Sequence, residues 1–158
     1  MIIMGIDPGL TATGFGLISI NKDKPKIIDF GIIQPNKNES LSKRLHTIYT
    51  DMEQLIQTFS PTVLSIEDVF YGRNVKSALL LGQARGVLLL AAASMEIPSA
   101  SYAPRKVKQS VAGNGAADKK QVQYMVQQIL NMDKPPKPLD VSDALAVALC
   151  HINQNKYL

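Results

Sequence analysis

The sequence predicts one α/β domain whose five-stranded mixed sheet has three antiparallel strands followed by two parallel strands, with helices flanking the sheet. Three observations support this prediction. Short β-rich runs come first, residues 40–59 then change to a helical period, and two further short apolar runs alternate with helical segments. A length of 158 residues accommodates a single domain, so we treat residues 1–158 as one unit.

The first three strands are expected to form an antiparallel meander. Residues 2–6, IIMGI, suit a short buried strand that the following DPG stops, and residues 11–21 and 24–35 are β-rich runs separated by a polar turn. Gly14 and Gly16, inside the second run, predict that another part of the backbone approaches this strand closely.

The next elements form a crossover from the first strand to a parallel neighbour. Residues 40–59 carry apolar side chains at helical spacing, and Pro61 precedes a second buried strand within residues 62–70. A helical crossover normally connects parallel strands, so this strand should lie beside the first one. The pairing would bring Glu67 next to Asp7, because each follows an apolar strand core.

The rest of the chain alternates between helix and strand. The predicted elements are a long apolar helix at 75–96, a strand at 97–103, and helices at 104–112, 118–130 and 139–152. Asp118 and Gln121 are spaced as a capping pair for the fourth helix.

The charge distribution favours a polyanionic partner. The net charge is +4, and residues 73–120 contain eight basic against two acidic side chains. Such a field concentrates polyanions and supplies phosphate contacts. An ordinary solvated lysine-rich surface explains the same composition about as well.

Cysteine content and hydropathy predict a cytoplasmic protein without a membrane segment. The single cysteine, Cys150, lies in an apolar run and is expected to pack in the core, so no intramolecular disulfide is possible. The N-terminal MIIMGIDPG lacks the features of a signal peptide, and the apolar run GVLLLAAASM is shorter than a bilayer crossing.

Four carboxylates could converge at one edge of the sheet. Asp7 and Glu67 end parallel strands, where open α/β sheets hold their sites, and Asp140 and Asp143 share one face at the head of the last helix. Each has an ordinary explanation: a turn cap for Asp7, a solvated strand end for Glu67, and helix caps for the two aspartates.

Four converging carboxylates would repel one another unless cations held them together. Mg²⁺ prefers oxygen ligands in octahedral geometry, and two ions about 4 Å apart stabilise the attacking and leaving oxygens of a phosphoryl displacement. Paired histidines and thiolates, which would indicate zinc, are missing from the sequence. The pattern therefore favours magnesium-dependent phosphoryl chemistry.

Five motifs, in this order, resemble the RuvC family of Holliday junction resolvases, bacterial endonucleases with a ribonuclease H-like fold. They are GIDPGLTATGFG, IEDVF, SALLLGQARG, RKVKQSVAGNGAADKKQVQ and DVSDALAVALCH. The resemblance extends over residues 2–151. IDPG alone also opens actin-like and hexokinase-like ATPases, whereas the ordered set of five is highly specific.

The resemblance assigns the acids by position. Asp7, Glu67, Asp140 and Asp143 match the four catalytic, metal-binding acids of the family. Asp68 should point to the opposite side of its strand from Glu67 and is left outside the metal site. The ions implied are two Mg²⁺ per subunit, with Mn²⁺ as a substitute.

Five further residues match positions at which the family contacts junction DNA. Phe70 matches an aromatic residue that stacks on bases at the opened junction, and a place in the hydrophobic core is a close alternative. Arg73 and Asn74 lie in the loop before the long helix, and Lys108 and Lys119 match lysines near the scissile backbone.

The resemblance implies a structure-selective endonuclease of homologous recombination and DNA repair. It would hydrolyse two symmetry-related phosphodiester bonds of a four-way junction and leave 5′-phosphate nicks. The apolar helix at 75–96 would form a homodimer interface, with a monomer core as the alternative, and the branch-migration proteins RuvA and RuvB would be partners. A non-cleaving junction-binding module would not need all four acids, and an actin-like nucleotide hydrolase would need a second domain.

Overall fold

A computed structural model describes residues 1–22, 24–70, 72 and 74–155 of the chain. Its elements are β1 (Ile2–Asp7), β2 (Thr13–Asn21), β3 (Lys24–Ile33), α1 (Leu41–Phe59), β4 (Val63–Glu67), α2 (Val75–Ser94), β5 (Ser99–Tyr102), α3 (Pro104–Ala112), α4 (Lys119–Ile129) and α5 (Leu139–Gln154). Every predicted element is found in this order. The largest differences are at β4 and β5, which are shorter than the apolar runs that contain them.

The sheet confirms the predicted fold class. Its strand order is β3-β2-β1-β4-β5. β1 pairs antiparallel with β2, which pairs antiparallel with β3, whereas β4 lies parallel to both β1 and β5. The last parallel pair between β1 and β4 joins Ile6 to Ile66, so Asp7 and Glu67 follow at the same edge of the sheet.

Helix α5 lies directly on β1 and β2 because glycines line the strands beneath it. A Cβ atom built at Gly5 would lie 2.0 Å from the Ala144 carbonyl oxygen, and one at Gly14 would lie 2.0 Å from the Asp140 carbonyl oxygen. A Cβ atom at Gly16 would meet a leucine side chain of the same helix at 2.5 Å. The close approach predicted for β2 is therefore confirmed, and α5 is the element that approaches.

The two faces of the sheet carry separate cores. Helices α3, α4 and α5 cover one face, where Cys150 is fully buried as predicted. Helices α1 and α2 cover the other face. The predicted capping pair of α4 is also present, since Gln121 N donates to Asp118 Oδ1 at 2.8 Å and Asp118 N donates to Gln121 Oε1 at 2.9 Å.

Helix α2 presents a largely exposed apolar surface. Only its alanines 84, 91 and 92 and Leu88 are buried, whereas Val75, Leu79 and Leu90 are 58–63% exposed. The alternative of a monomer core therefore accounts for one face of this helix, and its other apolar face stays exposed. Helix α2 has 20 residues and is longer than the apolar run GVLLLAAASM. Its length and composition would suffice to cross a membrane, and the core helices of many soluble proteins meet the same criterion.

Replacing Gly5 with alanine should destabilise the fold by about 3 kcal/mol, because the new methyl group would force α5 away from the sheet. Gly72→Ala is the matched control, since its Cβ atom would meet nothing within 4 Å. Urea unfolding of both variants measures the difference. Equal stabilities would show that α5 does not depend on this close contact.

Candidate active site

Three of the four predicted acids line one cavity. Asp7 comes from the end of β1, Glu67 from the end of β4 and Asp143 from the first turns of α5. The cavity has a volume of about 150 Å³, and Lys108 and Lys119 also line it. The same small pocket is thus formed by the ends of β1 and β4, the N-terminal part of α5, and helices α3 and α4.

Asp140 does not line this cavity but lies close to it. Its negative charge is one cause of the raised pKa of Asp7. Its backbone rests on Gly14, which pairs with Asp7 in the sheet. The predicted convergence is therefore present, with three acids in the wall and the fourth beside it.

The acids disturb one another strongly in the absence of a cation. Burial first, and then the charges of Asp143, Glu67 and Asp140, together raise the pKa of Asp7 to about 8, against the opposing effect of Lys119. Burial and then the charge of Asp143 raise the pKa of Glu67 to about 7, against the opposing effects of Lys119 and Lys108. Near neutral pH the cavity therefore retains protons that isolated carboxylates would have lost.

The ordinary explanations for the aspartates account for only part of their placement. Helix α5 begins after Pro138, and no side chain makes a capping hydrogen bond there. The turn after β1 is closed by Thr13, whose Oγ1 accepts from Gly9 N at 3.2 Å and donates to Gly9 O at 2.7 Å. Neither Asp140 nor Asp143 therefore makes a capping hydrogen bond, although Asp140 lies in the first turn and complements the helix dipole. Thr13, rather than Asp7, holds the turn after β1.

Arg44 also holds the loop that follows Asp7. Its Nη2 donates to the Leu10 carbonyl oxygen at 3.1 Å, across 34 residues of sequence. Neither Arg44 nor Thr13 was singled out from the sequence. The pattern offers a weak signal for Thr13, which follows the turn-forming DPG, and none for the partner of Arg44.

Asp68 lies outside the cavity, as predicted, and forms an ion pair. Its Oδ1 is 2.8 Å from Arg85 Nη2. Arg85 also donates from Nε to the Glu67 carbonyl oxygen at 3.2 Å and from Nη2 to Ser101 Oγ at 2.7 Å. Arg85 therefore fastens the end of β4 from which Glu67 projects. A lone arginine inside an apolar helix was the sequence signal for such an internal partner.

The predicted DNA contacts have different surroundings. Phe70 is 63% exposed, so its alternative place in the core is wrong. Asn74 caps α2 by accepting from Ser77 N at 3.2 Å. Lys108 lines the cavity, and Lys119 Nζ is 3.0 Å from Asp143 Oδ2. Arg73 lies outside the described residues.

The donor set of the cavity fits a hard divalent cation. Carboxylates are the only typical metal ligands among its lining side chains, and oxygen donors of this kind suit Mg²⁺ or Mn²⁺ better than zinc. A divalent ion would also relieve the repulsion that raises the pKa values of Asp7 and Glu67. Within the described ranges, no three Asp, Glu, His or Cys side chains form a ready metal centre.

Comparisons with known proteins agree along nearly the whole chain. The family model for crossover junction endodeoxyribonuclease RuvC matches residues 3–151. The RuvC of Natranaerobius thermophilus is 48% identical over 151 residues, which cover 96% of this chain and 94% of that relative. The RuvC of Alkaliphilus oremlandii is 45% identical over 157 residues, which cover 99% of this chain and 96% of that relative.

A solved structure shares the fold. The structure of Thermus thermophilus RuvC in complex with Holliday junction substrate matches with a TM-score of 0.91 at 32% identity, covering 98% of this chain and 94% of that one. This match confirms the predicted ribonuclease H-like arrangement of the sheet and helices.

The raised pKa of Asp7 predicts how metal-free stability depends on pH. The folded carboxyl holds its proton up to about pH 8, whereas the unfolded one titrates near 3.8, so the free energy of unfolding should fall as pH rises between these values. Asp7→Asn removes this contribution. In EDTA it should be more stable than the parent by on the order of 2 kcal/mol at pH 8, with a smaller gain at pH 5.

Urea unfolding at several pH values measures this effect, with Asp133→Asn on an exposed loop as the control. Parallel pH profiles for the parent chain and Asp7→Asn would contradict the strained state of the metal-free acids.

Proposed function

Because the chain belongs to the RuvC family of crossover junction endodeoxyribonucleases, we propose that it resolves four-way DNA junctions by hydrolysing two symmetry-related phosphodiester bonds. The observation that carries this proposal is the single cavity in which Asp7, Glu67 and Asp143 meet Lys108 and Lys119. In each cut, water forms a bond to phosphorus and the bond to O3′ breaks. The products are nicks with a 5′-phosphate and a 3′-hydroxyl, which a ligase could seal.

The acids would hold two Mg²⁺ ions, or Mn²⁺ in their place. Asp7, Glu67, Asp140 and Asp143 are the ligands we propose. The bound ions would supply Lewis acidity and would favour deprotonation of the attacking water. The chain itself orients this site: Thr13 and Arg44 hold the loop after Asp7, and the acids of α5 are fixed where this helix rests on the sheet.

The DNA contacts would lie around this cavity. Lys108 and Lys119 would meet phosphates next to the scissile bond, which is supported by the position of both side chains at the cavity that holds the acids. Phe70 lies three residues after the end of β4 in the chain and exposes its ring, which suits stacking on an unpaired base. Asn74, the N-cap of α2, and Arg73, which lies outside the described residues, are proposed contacts to the same region of the junction.

A homodimer would match the twofold symmetry of the substrate. Leu79 and Gly82 line an apolar groove on α2, and a Cβ atom at Gly82 or Gly86 would meet nothing within 4 Å. Small residues between exposed apolar ones allow a second helix to approach closely. Two copies that pack through this face would present two cavities to symmetry-related strands.

The cellular setting of this proposal is homologous recombination and DNA repair in the cytoplasm. The junction would reach the enzyme after branch migration by RuvA and RuvB, which are the protein partners we propose.

Asp7→Asn should abolish cleavage while it spares binding. Loss of one negatively charged ligand from the acid cluster should reduce the rate of junction cutting by at least ~10³-fold. The dissociation constant for a synthetic four-way junction should change by about threefold or less, since Asp7 lies in the catalytic cavity rather than on the basic surface. Gel assays with labelled strands in Mg²⁺ or EDTA measure cutting, and fluorescence anisotropy measures binding.

Asp133→Asn is the matched control, because it removes a carboxylate from an exposed loop outside the cavity. It should cut in Mg²⁺ at close to the parent rate, and EDTA should stop both proteins. Cutting by Asp7→Asn, cutting in EDTA or turnover of ATP would overturn the proposed function.

Leu79→Glu should weaken the homodimer by at least about tenfold, because it places a charge in the apolar groove of α2. Sedimentation velocity across protein concentrations measures the association. Tyr124→Glu adds the same charge to an exposed position of α4, on the other face of the sheet, and should remain dimeric. A dimer of undiminished strength in Leu79→Glu would place the interface elsewhere.

A further inference from the structure

Lys119 is bound to one of the proposed metal ligands. Its Nζ donates a hydrogen bond to Asp143 Oδ2 at 3.0 Å. The lysine side chain is 62% exposed, whereas the carboxylate is only 17% exposed. The ammonium group therefore reaches in from the solvent side and covers a carboxylate that lies deeper in the cavity.

The backbone of Lys119 is fixed by the helix start, whereas its side chain is largely exposed. Lys119 is the first residue of α4, and the reciprocal hydrogen bonds of Asp118 and Gln121 enclose it. Val122, one turn into the helix, is buried and lines the same cavity. Any change of partner must therefore come from the flexible four-carbon stem of the lysine.

Lys108 offers an internal comparison. It lines the same cavity from α3 and is partly buried. Among the ion pairs found in the part of the chain that the structure describes, none involves Lys108, whereas Lys119 has Asp143. Two lysines of equal charge thus face one acid cluster, and only one of them occupies a carboxylate oxygen.

We propose that Lys119 and the divalent cation compete for Asp143, so that metal binding releases the Lys119 ammonium to a phosphate of the DNA. This inference rests on the proposed metal-dependent function. An ammonium group at 3.0 Å from Asp143 takes up a lone pair of the carboxylate and adds a positive charge beside the place where a second cation must enter.

The competition would couple the two ligands of the enzyme. Metal that displaces Lys119 from Asp143 would leave an unpaired ammonium group at the mouth of the cavity. A DNA phosphate is the anion that would then pair with this ammonium group in place of Asp143. By linkage, bound DNA that holds Lys119 would favour metal binding to the same degree. Without DNA, Lys119 would reduce metal occupancy.

The test compares Lys119→Met with Lys108→Met in the full chain without DNA. Methionine keeps an unbranched stem of similar length, and each variant removes one positive charge from the same cavity. Isothermal titration with Mn²⁺ should show about tenfold tighter binding for Lys119→Met than for the parent, from the lost competition. Lys108→Met should gain about threefold or less, because it removes a charge but frees no ligand.

A second measurement follows the ammonium group itself. Lysine ¹⁵Nζ and ¹³Cε resonances, assigned with the two variants, should show Lys119 shifting and becoming more mobile as Mg²⁺ is added, with a smaller change for Lys108. Thermal unfolding in EDTA checks that each variant is folded before titration.

Two outcomes would overturn the inference while leaving the proposed function intact. Weaker Mn²⁺ binding by Lys119→Met would show that Lys119 orients Asp143 for the metal instead of competing with it. A Lys119 signal that does not respond at saturating Mg²⁺ would show that the ion pair persists. If neither the parent nor the variants bound Mn²⁺, the metal site would fail together with the inference.

Discussion

The close packing of α5 on β1 and β2 is the constraint on which the candidate site depends. Gly5 and Gly14 have no side chains, so the backbone of α5 lies directly against the strands. A helix held at this distance delivers Asp143 to the end of β1, where Asp7 stands. The fold therefore brings distant acids together through a contact between backbones, and the missing side chains of two glycines are as important to the site as the carboxylates.

This convergence conflicts with the stability of the metal-free fold. Burial and mutual repulsion raise the pKa values of Asp7 and Glu67 far above those of solvated carboxyl groups. The structure reduces the conflict in two ways, by retaining protons on these acids and by placing Lys119 on Asp143. If the proposed divalent cations bind here, they would take over both roles, and the protons and Lys119 would have to give way to them.

The sequence predicted elements and positions well, because these follow from local patterns. Strand and helix periods located all ten elements, the two glycines of β2 correctly predicted a close approach, and Asp118 with Gln121 predicted a capping box. The same reasoning suggested capping for Asp140 and Asp143, but no side chain caps α5 by a hydrogen bond. Spacing shows which residues share a face but not which group they meet.

Side-chain partners across the fold were beyond such patterns. Arg44 finds the Leu10 carbonyl and Arg85 finds Asp68 only after sheet and helices have packed. The second of these pairings reduces the number of basic side chains in residues 73–120 that are available to contact DNA. Arg85 forms an ion pair with Asp68 within the protein. It therefore fixes the end of β4 and adds little positive charge to a DNA-facing surface. Attraction of DNA from a distance depends on the summed charge, whereas contact depends on cations with room to exchange partners. Exposed lysines at the edge of the acid cluster meet that second requirement, and Lys119 meets it at the place where binding and cutting would coincide.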